Sequence, residues 1–284
     1  MTMATASTVA ASPARRAAAG RASFGGALRS EFTKIRSVRS TYWTLLALVV
    51  ACVGIGAIGS YGHAHDFGQM TAAAQAANRA GEITRAPMVS LFGVILGQLV
   101  IAVLGALTVT SEYSTGMIRT SLSVLPGRGT VFAAKAVVFG AIALVTGLVT
   151  SFASFFPGQA IMSGQHIGVS LGHPGALRAV VGAGLFLAVC GLLSYGLGAL
   201  IRHTAGAITA SIGLLFVLFV LTQFLPQSWA VHIDKWIPFN AGAAIWEHQS
   251  APVMLSPWTG FGVFCGYAAI AMAAGLYRFR YRDT

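Results

Sequence analysis

The sequence predicts an all-α, polytopic membrane protein: six transmembrane helices behind an N-terminal amphipathic elbow helix, with both termini cytoplasmic. Three observations predict it. Six stretches long and apolar enough to span a bilayer lie at about 42–62, 87–110, 136–156, 179–200, 205–224 and 258–277. A helix of about 20 mostly apolar residues crosses the hydrocarbon core. None of the six contains Asp, Glu, Lys or Arg. The chain is 56% hydrophobic and 9% charged, too few charges to cover a soluble domain of 284 residues. In lipid every backbone N–H and C=O must be satisfied within the structure, so the spans are expected to be helical.

Charge sets the expected topology. Lys and Arg accumulate in short cytoplasmic segments of membrane proteins. With the N-terminus inside, the cytoplasmic cations are those from Arg15 to Arg39, then Arg119, Arg128 and Lys135, then Arg202, then Arg278, Arg280 and Arg282, which is 14 of the 18 in the chain. Arg79, Arg85, Arg178 and Lys235 fall outside and are balanced there by Asp66, Glu82, Asp234 and Glu247. The whole net charge of +11 therefore lies on one side. Divided among loops in this way, it reflects topology and not a nucleic-acid-binding patch.

Each element follows in order. Residues 1–26, rich in Ala, Ser, Gly and Arg, cannot bury enough surface to order themselves, and are expected to form a disordered cytoplasmic tail. Arg15-Arg16 is not taken as a removed signal, because further charges up to Arg39 precede any apolar core. Over 27–40, Leu28, Phe32, Ile35 and then Tyr42 recur at helical spacing, with Arg29, Lys34, Arg36 and Arg39 elsewhere on the turn. A basic amphipathic helix of this kind lies in the interface with its cations toward anionic headgroups. Periodicity does not decide whether it also touches a cytoplasmic partner.

The first outer loop, 63–86, carries an Ala/Gln-rich helical stretch around Met70–Ala80. It also carries His63-x-His65-Asp66, which lacks a third ligand for a metal site and reads as solvated. The inner loop 111–135 holds most of the hydrophilic sequence between spans. Ser114 or Thr115 is placed to cap a short helix through Leu122, with Met117, Ile118 and Leu122 as its apolar stripe and Pro126-Gly127 as its end. Arg202-His203-Thr204 is a tight inner turn. The last outer loop, 225–257, holds four prolines and three tryptophans. Short, partly re-entrant helices capping the outer face are expected there.

The chemistry of catalysis is missing. The sequence has no phosphate-binding loop, no His-Glu-x-x-His and no nucleophile elbow, so no catalytic, metal or cofactor-binding residue is assigned. Glu247-His248 reads as a solvated surface pair. Cys52, Cys190 and Cys265 lie within apolar spans and read as small buried hydrophobes. Gradient-coupled carriers place ionisable groups in their spans, and these spans have none. Small-residue spacings such as Gly191-x-x-x-x-Gly196-x-Gly198 allow close helix approach. Gln98, Thr108, Ser194 and Tyr195 are candidates to line a transport path or to bond between helices.

The segments with Glu31, Lys34 and Arg39-Ser40-x-x-Trp43, with Glu112-x-x-x-Gly116-x-x-Arg119, and with the Pro-rich stretch before the last span resemble one family. It is the membrane (permease) subunit of bacterial type-2 ATP-binding-cassette (ABC) exporters. The resemblance covers 27–284, one six-helix permease domain. It implies two permease copies, a homodimer, working with two copies of a separate nucleotide-binding ATPase that holds ATP and Mg. It implies a multi-pass bacterial plasma-membrane protein that exports an amphipathic or hydrophobic solute such as a drug, antibiotic, lipid or peptide. It also implies that Leu28, Glu31, Phe32, Lys34, Ile35 and Arg39 belong to the elbow helix. The docking helix at 111–125 would then use Glu112, Gly116, Met117, Ile118, Arg119 and Leu122. Two rivals stand beside this reading: a non-transporting anchor or sensor of an ATPase complex, and a secondary carrier.

Overall fold

A computed structural model describes residues 24–114, 128–247 and 255–281. Among them the chain is helical, with no strand. Six segments are long and apolar enough to cross a membrane: Arg39–Gln69, Ala72–Tyr113, Gly129–Ser163, Ala176–Ile201, Thr204–Thr222 and Pro257–Arg280. Each contains or overlaps one expected span.

Helix α1 (Phe24–Ser37) leads through Val38, an extended residue, into α2 (Arg39–Gln69). The first outer connection is far tighter than expected. Helix α2 runs on to Gln69, and only Met70 and Thr71 separate it from α3 (Ala72–Ser90). Thr71 caps α3 by accepting from the Ala74 N–H, and Gln75 Nε2 donates back to Phe67 O. The long polar loop read from hydropathy is thus an extension of two helices, because side-chain polarity does not end a helix whose backbone bonds are intact.

The second span is broken where a continuous one was expected. Pro87 sits inside α3, and a turn at 91–93 precedes α4 (Val94–Ser114). Gly93 fits against the Cys52 backbone of α2, where a β-carbon would collide, and the Cys52 thiol donates to Gly93 O at 3.3 Å. A polar clamp from α5 (Arg128–Ser163) supports the break. Gln159 Nε2 donates to Ala86 O at 2.9 Å, and its Oε1 accepts from the Val169 N–H at 2.8 Å.

Helix α6 (Ala176–Ile201) is the buried axis, packed on α4, α5 and α11 (Pro257–Tyr281). Glycine makes this possible. A β-carbon on Gly147 of α5 would lie 2.6 Å from Gly184 O, and one on Gly275 of α11 would lie 2.8 Å from Gly196 O. Backbones thus approach with no side chain between them. Helix α6 ends at Arg202, held in a left-handed conformation with φ 63°, and the His203 ring then caps α7 (Thr204–Ile212) through the Gly206 N–H. This is the expected tight turn. One π-helical turn, Gly213–Val217, and α8 (Leu218–Thr222) complete the fifth span.

The segment after it forms short helices, α9 (Gln227–Ile233), a 3-10 turn (Asp234–Trp236) and α10 (Pro238–Ala243). Helix α10 is buried. Phe239 and Trp246 close on Phe186 of α6, which also meets Phe264 of α11. Trp229 and Trp236 remain exposed. The Pro-started helix α10 survives at this position because protein surrounds it.

The basic segments gather at one end of the bundle. Arg202 Nη2 donates to Arg278 O, and its guanidinium lies over the Tyr113 ring at the end of α4. Arg280 reaches Gly129 at the start of α5. Segments distant in sequence, which the charge count had grouped on one side, thus meet in space.

Candidate functional site

At that basic end α1 turns its acidic side inward. Ala27 and Glu31, one turn apart, face the bundle and are both buried. Helix α1 packs on α5. Lys34 follows on the next turn. Glu112 comes from the last turn of α4, and Lys135 from the second turn of α5. The four make an alternating ring of charge. Lys34 Nζ is 2.7 Å from Glu31 Oε1 and 3.5 Å from Glu112 Oε1. Lys135 Nζ is 3.2 Å from Glu31 Oε2 and donates a hydrogen bond to Glu112 Oε1.

The ring is electrically neutral and largely shielded. Glu31 is 4% exposed and Lys135 6%. Either charge alone at such a place would be very costly, and pairing offsets that cost. Burial by itself would lower the pKa of Lys34, but hydrogen bonds and attraction from Glu31 and Glu112 hold it above its ordinary 10.5. Chemically the ring is a clasp that ties three helices together. It also corrects one expectation. Lys34 turns to the acids and not to headgroups, while Arg29, Arg36 and Arg39 stay exposed. Glu112, whose side chain is 13% exposed, partners both lysines from the end of α4.

A cavity of about 480 Å³ adjoins the clasp between α1, α2 and α4, lined in part by Ile35, Thr44, Leu107, Thr108 and Ser111. Thr108 is thus placed on a cavity, with its hydroxyl bonded to Leu104 O. Gln98, Ser194 and Tyr195 are buried in the bundle. The Tyr195 hydroxyl donates to Phe132 O at 2.9 Å. The amide of Gln98 and the hydroxyl of Ser194 have no hydrogen-bond partner among the described residues. Leu28 and Phe32 face outward, against α5.

Gly116, Met117, Ile118, Arg119 and Leu122 lie outside the described residues, as does most of the expected docking helix. Helix α4 includes Ser114, and Thr115, the other expected cap, lies outside the described residues. Lys135, noted from sequence only as a cation behind the Glu112 motif, was given no role there, although it is central. The signal was there: the basic side has three acids in all, and two of them, Glu31 and Glu112, need buried cations.

At the opposite end His63 Nε2 lies 2.6 Å from Glu82 Oε2, joining α2 to α3, so this histidine is not simply solvated. No three His, Cys, Asp or Glu side chains converge on a metal site among the described residues. Glu247 is partly buried, and burial pushes its carboxyl up to about 7, while His248, the other half of the expected solvated pair, lies outside the described residues. The thiols of Cys52 and Cys190 are buried and that of Cys265 partly so.

No curated protein matches the chain. Residues 27–284 match the family described as ABC-2 family transporter protein. That family is the transmembrane component of its transporters and not the catalytic one, and it implies a nucleotide-binding partner. With nearly the whole chain matched and six helices able to span a membrane, the chain belongs to the ABC-2 transporter family, as the permease subunit of an ABC transporter.

Proposed function

We propose that this permease exports an amphipathic or hydrophobic solute, driven by a separate ATPase that docks on the connection between α4 and α5. The clasp carries the reading. The connection spans 115–127, and its two stems hold Glu112 and Lys135, which meet each other and α1 through Glu31 and Lys34. A push on the connection therefore reaches α4, α5 and α1 together, where unpaired stems would absorb it. Helix α1 acts as the elbow, and Gly116 and Arg119 form the contact with the ATPase. ATP and Mg belong to that partner, since this chain has no phosphate loop.

The spans suit an apolar cargo, with no charge in their central segments. Large exposed side chains on α2 (Trp43, Val50 and Ile58 among them) leave apolar surface for lipid and for a second permease copy. The expected assembly is a homodimer in the bacterial plasma membrane, with the basic end and both termini in the cytoplasm.

The test is purification of the tagged chain from its native membrane in mild detergent. A nucleotide-binding subunit should co-purify in stoichiometric amount and be lost in Arg119→Glu or Gly116→Trp, while both variants still insert. Retention of the ATPase and normal export by both variants would overturn the docking assignment.

A further inference from the structure

We propose that the groove between α1 and α5 is a binding site for one anionic phospholipid, with an acyl chain along α5 and the phosphate at Arg29. The inference rests on the permease reading only in placing the chain in a membrane. Its floor and walls are Leu28 and Phe32 of α1 and Val137, Ala141 and Val145 of α5, enclosing about 600 Å³. Arg29 stands at its α1 edge. The same Arg29 lines a second, polar depression on α1 with Ser30, Thr33 and Lys34. One guanidinium thus joins an apolar slot to a polar one, which is the pattern of an amphipathic ligand with an anionic head.

Charge and length select the occupant. Lys34 is committed to Glu31 and Glu112, whereas the Arg29 guanidinium meets no carboxylate among the described residues. Guanidinium suits phosphate because its fixed fork of donors matches the oxygens. From Val137 to Thr146 the groove follows α5 for about 13 Å. One leaflet of the hydrocarbon core is about 15 Å thick, so the slot is as deep as the seat of an acyl chain. It opens on the outside of the bundle, away from the cavity beside the clasp. A partner in the aqueous phase cannot follow it along α5 into the membrane.

The ligand would also brace the clasp. Helix α1 is tied to α5 through the clasp on one side and flanks the groove on the other. A lipid there fills the gap beneath α1 and holds Glu31 near Lys135.

The test needs neither ATP nor solute, so it can fail while the permease reading stands. The purified full-length chain is exchanged into detergent containing equal parts of dioleoylphosphatidylglycerol and dioleoylphosphatidylethanolamine, and retained lipid is counted by native mass spectrometry. The expected result is a preferentially retained phosphatidylglycerol. Arg29→Gln should lower that preference about fivefold, the worth of one cation near an anionic surface. Ala141→Trp, an exposed position in the slot, should reduce retention of both lipids. Arg36→Gln, on the same helix but outside the groove, should leave the preference within about twofold. Arg29→Gln is a surface change that spares the clasp, so it keeps the test valid if the tryptophan variant folds poorly. Unchanged retention in Arg29→Gln, or an equal loss in Arg36→Gln, overturns the proposal. So does a shift from dimer to monomer in Ala141→Trp with lipid retention intact, which would give the groove to a second copy.

Discussion

Replacing Lys135 by Met should destabilise the protein more than any other single change in the clasp, and adding Glu112→Gln should restore most of the loss. The Lys135 side chain is 8% exposed and touches both carboxylates. Without it, Glu31 and Glu112, 6% and 13% exposed, are left with Lys34 alone, which is 34% exposed and 3.5 Å from Glu112. One uncompensated negative charge then sits where water barely reaches. Removing one partner of a buried pair costs about 3–5 kcal/mol. In a chain of this size each kcal/mol corresponds to a few degrees, so the unfolding temperature should fall by roughly 6–20 °C. Glu112→Gln alone should lie at the low end, because the amide still accepts from Lys135 and Glu31 keeps both lysines. In the double variant the Glu31–Lys34 pair, at 2.7 Å, remains balanced, and the loss should shrink to about 1 kcal/mol. The assay is thermal unfolding of the purified chain in detergent, followed by tryptophan fluorescence. A double variant as unstable as Lys135→Met would refute the argument from charge balance. A single variant indistinguishable from the parent would show that solvent screens the ring.

The other expectations concern the opposite end and the helix axis. Glu247 should make stability fall as pH rises. Below pH 4.5 its carboxyl is protonated folded or unfolded. Between 4.5 and about 7 only the unfolded chain releases the proton, so folding is penalised by up to about 1.4 kcal/mol per pH unit, and above that window the penalty is constant. Glu247→Gln should flatten the dependence in a thermal-unfolding series across the window, and an unchanged slope would remove Glu247 as its source. Gly147→Val should push α5 off α6, since even one β-carbon would lie 2.6 Å from Gly184 O. Overpacking of this kind costs about 1–3 kcal/mol or more. The yield of monodisperse protein should drop sharply, whereas Gly54→Val, at an open position on α2, should leave it unchanged.

The spans were legible because hydropathy is a sum over local residues, and the grouping of cations because it needs only loop order. Helix ends were not. The 36-residue α5 measures about 54 Å, well beyond the roughly 30 Å of hydrocarbon that its apolar run suggested. Its first extra turns carry Lys135, which is neutralised by partners from two other helices. The break at 91–93 also escaped notice, since what holds it is Gln159, some seventy residues away. Glu112 was picked out for its place at the end of a span, yet its partners, Lys34 and Lys135, could not be assigned without the fold.

By itself the sequence determined the class of this protein: six apolar helices, a basic side, no phosphate loop and membership of a permease family. Those properties depend on composition and order along the chain. Only the tertiary structure decided that α6 is the axis, that α1 faces inward with its acid, and that four charges from three helices close into one neutral ring. Such outcomes depend on which surfaces meet, and a buried charge is tolerable only where the fold brings its counter-charge to within hydrogen-bond reach.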